Sequence, residues 1–134
     1  MAVLDKIKIY KREKIEDSRG WFLKVITGKE ESLPQFTGEI YVTSARPGEM
    51  KGGHYHNEAN EWFTLIKGKC NMKLFDLADK SKLEIELDSE VPQTIFVPAR
   101  IAHVFLNILP NEESILLAYS DKLYDSMDTI YYQV

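Results

Sequence analysis

The chain holds three histidines, His54, His56 and His103, and the first two are one residue apart. Alternate side chains of a strand point to the same side, so His54 and His56 can aim both imidazoles at one point. Glu61 follows after Asn57-Glu58-Ala59-Asn60, a short loop that can return the chain and present a carboxylate. Three imidazoles and one carboxylate can hold a divalent transition metal and leave positions open for water or substrate. The His-x-His pair alone also fits a solvated strand, so the wider spacing has to separate the two readings.

These residues need elements that hold them. Glycines and prolines interrupt the chain at short intervals, among them Gly20, Gly28, Pro34, Pro47-Gly48, Gly52-Gly53, Gly68, Pro92, Pro98 and Pro110. Between them lie runs rich in Val, Ile, Phe, Tyr and Thr, which predict many short strands, about ten by the usual strand length. From Asn71 to Leu77, Met72, Leu74 and Asp76 fall on one face and Lys73 and Phe75 on the other. From Lys80 to Leu87, Leu83, Ile85 and Leu87 alternate with Lys82, Glu84 and Glu86, and Asp76–Lys82 between the two runs reads as a hairpin loop. Lys29–Leu33 and Asp121–Met127 can each make one helical turn, and neither is long enough for a packed helix. The fold class is all-β, a sandwich or barrel.

At 134 residues the chain has room for one hydrophobic core. Its 44% hydrophobic and 28% charged residues are an ordinary globular composition. Seventeen basic against 21 acidic residues give a formal charge of -4, a poor match to the phosphate backbone of nucleic acid. The single cysteine, Cys70, excludes an internal disulfide. No apolar run approaches the roughly 20 residues that span a bilayer. The opening MAVLDKIKIYKREK lacks the apolar centre of a secretion signal, so a cytoplasmic protein is expected.

Gly48, His54, His56, Glu61 and Gly68, with gaps of five, one, four and six residues, resemble the first sequence motif of the cupins. Pro98-Ala99-Arg100-Ile101-Ala102-His103-Val104-Phe105-Leu106-Asn107 resembles the second, with Arg100 where that motif usually has glycine. Every histidine falls on a ligand position of this pattern. The resemblance implies a single-domain jelly-roll β-barrel over 1–134, with 40–120 as barrel core. It also implies one divalent metal (zinc, manganese, iron or nickel) held at the mouth by His54, His56, Glu61 and His103.

A narrower resemblance covers nearly the whole chain. Asp17-Ser18-Arg19-Gly20-Trp21-Phe22 is similar to the signature near the start of sugar-nucleotide cupins, the epimerases and ketoisomerases of deoxysugar pathways. Pro47–His56 and the tail Tyr124–Tyr132 resemble the metal-binding cupin domain of capsular polysaccharide epimerase-reductases. Glu61 favours a metal-bearing site over the 3,4-ketoisomerase branch, which tends to lack that carboxylate. The implied activity is a metal-assisted epimerase or isomerase acting on a nucleotide-linked 4-keto-6-deoxyhexose.

The proton-transfer base is then Tyr41, Tyr55, Tyr119, Lys51 or Glu58, or, in a metal-free site, His54 or His56. Arg19, Lys51 and Arg46 can meet the diphosphate and Trp21 can stack on a base; solvated charges and edge packing are the plainer readings. The resemblance also implies a homodimer, with strands of residues 1–30 reaching the partner subunit. Two other functions use the same ligand set: an iron-dependent dioxygenase, and a non-catalytic cupin that binds sugar or metal. Trp62, Phe63, Phe96, Phe105 and Cys70 read as core, and Glu112-Glu113 as a solvated loop.

Overall fold

Residues 3–31, 33–34 and 38–134 are described by a computed structural model. The β-forming runs become β1 (Lys8–Lys11), β2 (Lys14–Asp17), β3 (Gly20–Leu23), β4 (Glu39–Ala45), β5 (Met50–Tyr55) and β6 (Glu61–Lys67). They continue as β7 (Lys69–Asp76), β8 (Lys82–Asp88), β9 (Gln93–Val97), β10 (Ile101–Asn107), β11 (Ser114–Ser120) and β12 (Ile130–Tyr131). Spacing predicts about ten; β12, at two residues, is shorter than any run that alternation can reveal.

Two five-stranded antiparallel sheets form the barrel, with strand orders β1-β9-β6-β11-β4 and β12-β5-β10-β7-β8. This is the all-β jelly roll that the cupin resemblance implies, and one of the two architectures, sandwich or barrel, that the strand spacing allows. Its core lies between the sheets, where Phe63, Leu65, Met72, Leu74, Ile95, Val97, Ile101, Phe105 and Leu116 pack together. The period of two explains that set. Phe63 and Leu65 point inward from β6, while Trp62 and Thr64 point to the other face; Ile101, His103 and Phe105 share the inward side of β10. Among the described residues, β2 and β3 pair only with each other, as a ribbon apart from both sheets.

Helix content differs from expectation. A single turn, α1 (Val3–Lys6), carries no signal in the sequence; its Val3 N–H donates to Ser81 Oγ at 2.7 Å. No helix forms in the described part of Lys29–Leu33. There the Glu30 carboxylate turns back on the Thr27 and Gly28 N–H groups, both at 3.0 Å, and offers the backbone an alternative to a helical turn. Of Asp121–Met127, only the last two residues enter a turn, the 3-10 turn Ser126–Asp128, capped by Asp125 accepting from Met127 N–H at 2.9 Å. Among the described residues no helix is long and apolar enough to cross a membrane.

The outer face of the first sheet is covered by the chain itself. Trp62, Phe96 and Tyr119 form a second buried cluster there, packed against Tyr10, Ile26 and Leu33. Arg12 fastens this cover: it donates to Thr94 Oγ1 at 2.9 Å, to the Val25 carbonyl at 2.8 Å, and to the buried Glu30 carboxylate. Burial works against the Glu30 charge. Hydrogen bonds from backbone N–H groups, the Thr27 hydroxyl and Arg12 outweigh it and hold the carboxyl at about 2.

Candidate metal centre

His54 lies on β5 directly opposite His103 on β10, and His56 follows one residue after β5 ends. Glu61 opens β6 on the facing sheet, in the same inward row as Phe63 and Leu65. One ligand atom from each of the four lies within 4.8 Å of the others. Glu61 and His103 are buried, at 3% and 2% exposure, among aromatic neighbours such as Phe63 and Phe105.

Two of the imidazoles have fixed tautomers. His56 Nδ1 meets the Asp128 carbonyl at 2.9 Å, and His103 Nδ1 meets the Ile101 carbonyl at 3.1 Å. A carbonyl only accepts, so each Nδ1 carries its proton, and in the neutral ring Nε2 is left as a lone pair. Both Nε2 atoms face one carboxylate oxygen: Glu61 Oε1 is 3.0 Å from His56 and 3.6 Å from His103. No donor satisfies hydrogen-bond geometry at this buried oxygen. Its companion Oε2 accepts from the Tyr41 hydroxyl at 2.9 Å.

Three electron-rich atoms converging in an apolar row call for positive charge, since a buried carboxylate is costly without it. Part of that demand is met by a proton: burial opposes the His56 imidazolium, but contact with Glu61 outweighs it and raises the pKa. Burial pushes His103 down to about 4 and also lowers His54, with neighbouring imidazoles adding to the effect. Those two stay neutral at pH 7 and so are ready to ligate. Burial would raise the Glu61 carboxyl, but its contacts with His56, His103 and Tyr41 lower it overall. A divalent cation satisfies all four groups together, so the residues present fit the implied metal.

Backbone chemistry sets the aim of these side chains. The β5–β10 ladder slips between His103 and Val104, and Gly52 sits opposite the slip with φ 93°. A Cβ at Gly52 would lie 2.8 Å from the His103 carbonyl oxygen. Gly52→Ala is therefore expected to push β5 off β10, cost on the order of 2–3 kcal/mol, and separate His54 from His103. Denaturant unfolding and metal titration of that variant would show both losses. Arg100 keeps the backbone of the glycine it replaces: its φ is 69°, and its N–H donates to the His56 carbonyl. Asn107, the last motif residue, clamps loops instead of doing chemistry, donating to the Ala45 and Glu112 carbonyls at 3.0 and 2.8 Å.

Two cavities meet at the quartet. One, of about 330 Å³, is walled by His54, His56, Glu61 and Tyr41 with Glu39, Asp125 and Asp128. The other, of about 340 Å³, shares Tyr41 and His54 and adds Thr43, Lys51, His103 and Phe105. Among the described residues, the first is lined by four carboxylates and no lysine or arginine, and the second by Lys51 and no carboxylate. Of the base candidates, Tyr41, Lys51, His54 and His56 border these cavities. Tyr55 packs on Tyr132, Tyr119 lies under the outer cover, and Glu58 is exposed on the 57–60 loop. Arg46 is exposed past the end of β4. Arg19 and Trp21 line a separate groove on the β2–β3 ribbon with Ile15, Asp17 and Phe22, and Arg19 pairs with Asp17 at 2.7 Å.

A family model described as the polysaccharide biosynthesis C-terminal domain matches residues 15–130. The chain belongs to that family. This polysaccharide-biosynthesis domain is 28% identical over 106 residues to the spore coat polysaccharide biosynthesis protein SpsL of Bacillus subtilis strain 168, covering 75% of the chain and 70% of SpsL. It is 23% identical over 109 residues to UDP-2-acetamido-2,6-beta-L-arabino-hexul-4-ose reductase of Pseudomonas aeruginosa PA103. That match covers 81% of the domain and 27% of the reductase, so the domain spans about a quarter of that relative.

Solved structures share the fold of the polysaccharide-biosynthesis domain. A dTDP sugar isomerase from Desulfovibrio desulfuricans G20 superposes with a TM-score of 0.84 at 16% identity, over 93% of this chain and 82% of that one. The dTDP-6-deoxy-D-glucose-3,5-epimerase RmlC of Legionella pneumophila Philadelphia 1, solved with dTDP-4-keto-L-rhamnose, superposes with a TM-score of 0.82 at 15% identity. It covers 95% of this chain and 72% of that one. The sugar-nucleotide cupin fold implied by the sequence is therefore the fold of this domain.

Proposed function

We propose that this domain is a metal-assisted epimerase or isomerase acting on a nucleotide-linked 4-keto-6-deoxyhexose in deoxysugar or surface polysaccharide biosynthesis. The observation that carries this reading is the quartet around Glu61 Oε1, a fitted cation site at the meeting point of two cavities. His54, His56, Glu61 and His103 would hold the ion, which would supply Lewis-acid stabilisation of the negative charge that develops on the sugar oxygens.

The chain's own residues then have distinct tasks. The diphosphate belongs in the Lys51 cavity, because the other is lined by carboxylates that repel it. Epimerisation breaks a C–H bond next to the ketone, leaves the electron pair as an enolate, and returns a proton to the opposite face. Of the proton-transfer candidates outside the ligand set, Tyr41 and Lys51 border the site, and burial together with the neighbouring Glu61 raises the Tyr41 phenol, which suits it to returning the proton. Tyr41 is held in place by its bond to Glu61 Oε2. The buried floor of Phe63 and Phe105 keeps bulk water from the enolate.

The reading extends to a homodimer in which the β2–β3 ribbon, with Arg19 and Trp21, reaches the pocket of a second copy. In support, the ribbon pairs with no strand of its own sheets, and Ile15, Trp21 and Phe22 are exposed on it. A two-stranded ribbon is marginal in water without something to pack on.

Incubation in heavy water tests the activity. A dTDP- or UDP-4-keto-6-deoxyhexose is expected to take up deuterium at C3 or C5, and Tyr41→Phe to slow this by about 10²-fold or more. Lys51→Ala is expected to raise KM about tenfold with a smaller change in kcat, as loss of a charge-assisted phosphate contact does. Absence of wild-type exchange with every such substrate would remove the proposal. Oxygen consumption by the iron form would favour the dioxygenase reading.

A further inference from the structure

We infer that Asp128 is a positioning residue for the candidate metal centre, which it acts on from 72 positions away in the chain. This rests on the metal reading above and extends it to the C-terminal segment.

Asp128 grips the loop between the ligands His56 and Glu61 with its side chain. Its Oδ1 accepts from the N–H of Asn57 at 2.8 Å and of Glu58 at 3.1 Å. Its Oδ2 accepts from the N–H of Glu58 at 3.3 Å and of Ala59 at 3.2 Å. Three successive backbone donors are thereby satisfied by one carboxylate, a charge-assisted cradle. With its main chain the same residue accepts the His56 Nδ1 proton at 2.9 Å. A ligating imidazole depends on such a partner to fix its tautomer and orientation. The side-chain cradle fixes the place of that carbonyl, so one residue sets both the loop that spaces His56 from Glu61 and the nitrogen that His56 presents.

The neighbouring contacts make the loop a rigid reference. Asn60 donates to both oxygens of Asp121 at 2.9 Å and accepts from Ala99 N–H at 2.8 Å. The loop is thus tied to the segment that leads into His103. Asp128 is the piece that adds His56 to this frame.

The test compares Asp128→Ala, Asp128→Asn and Asp125→Ala. Asp125→Ala removes the cap of the Ser126–Asp128 turn but no bond to residues 57–59. In Co²⁺ and Zn²⁺ titrations, Asp128→Ala is expected to lose about 10–100-fold in affinity, as removal of outer partners of a ligand does. Asp128→Asn keeps one acceptor oxygen and should recover part of the loss, while Asp125→Ala should lose little at a matched fall in Tm. In the metal-free protein, at a pH high enough to leave His56 neutral, nitrogen NMR should find its proton on Nδ1 in the wild type and a mixture of tautomers in Asp128→Ala.

Unchanged affinity and an unchanged His56 tautomer in Asp128→Ala would overturn the inference, as would equal losses in Asp125→Ala. A wild-type chain that takes up no cation would defeat the metal reading instead, and the tautomer measurement would then decide the role of Asp128 alone.

Discussion

His103→Ala is expected to empty the cation site and stop proton exchange together. His103 is one of the four candidate ligands and lies opposite His54 and against Phe63 and Phe105. Water entering an apolar row is a poor substitute for an imidazole with a fixed tautomer. Changing an outer partner already costs about 10–100-fold in metal affinity, so loss of a ligand should cost at least about 100-fold. Exchange at the sugar carbon should fall below detection with it. The variant should still fold, because the core of Phe63, Leu65, Met72, Leu74 and Ile95 stays in place, and cooperative unfolding would check this. A folded variant that exchanges at the wild-type rate would separate the quartet from the chemistry.

Glu30→Gln is expected to destabilise the chain by about 3 kcal/mol at pH 7. Glu30 is 7% exposed, and its carboxyl is lowered from 4.5 to about 2 in the folded state. A depressed folded pKa contributes stability above the unfolded value, and that contribution is lost as pH falls toward the folded value. The window is therefore pH 4.5 down to about 2. Each tenfold difference in proton affinity between folded and unfolded chain is worth ~1.4 kcal/mol, which makes the contribution about 3 kcal/mol. The amide also leaves the Arg12 guanidinium, 9% exposed, without its counter-charge. The outer cover over Trp62 should loosen, and Tm should fall by on the order of 10 °C. Urea unfolding at pH 7 and pH 3 checks both parts: the wild type should lose stability between these values, and the variant should lose much less. A difference below about 1 kcal/mol at pH 7 would show that the Arg12–Glu30 pair is not what holds the cover.

The barrel and most of the candidate quartet were legible because their signals are local. His54, His56 and Glu61 lie within eight consecutive residues, and strand period alone brings the two imidazoles to one side. His103 needed the motif resemblance, since nothing local says that β10 lies beside β5. The residues without a sequence signal act across long separations. Asp128 meets His56 only because β12 pairs with β5 and draws the tail across the site. Arg12 reaches Thr94 and Glu30 because the chain folds back over its own outer face. Gly52 reads as a turn glycine in the sequence, and its need to be glycine appears only when the His103 carbonyl is placed beside it. Glu30 illustrates the same limit for helix: propensity permits a turn at Lys29–Leu33, and in the described part a side-chain bond to nearby N–H groups competes with it.

X-ray absorption on the zinc-loaded protein addresses the central claim most directly. One zinc per chain is expected, with three nitrogen ligands at about 2.0–2.1 Å and one carboxylate oxygen at about 2.0–2.2 Å in the inner shell. A sulfur ligand near 2.3 Å, which only Cys70 or a methionine could supply, or no stoichiometric zinc at all, would contradict it.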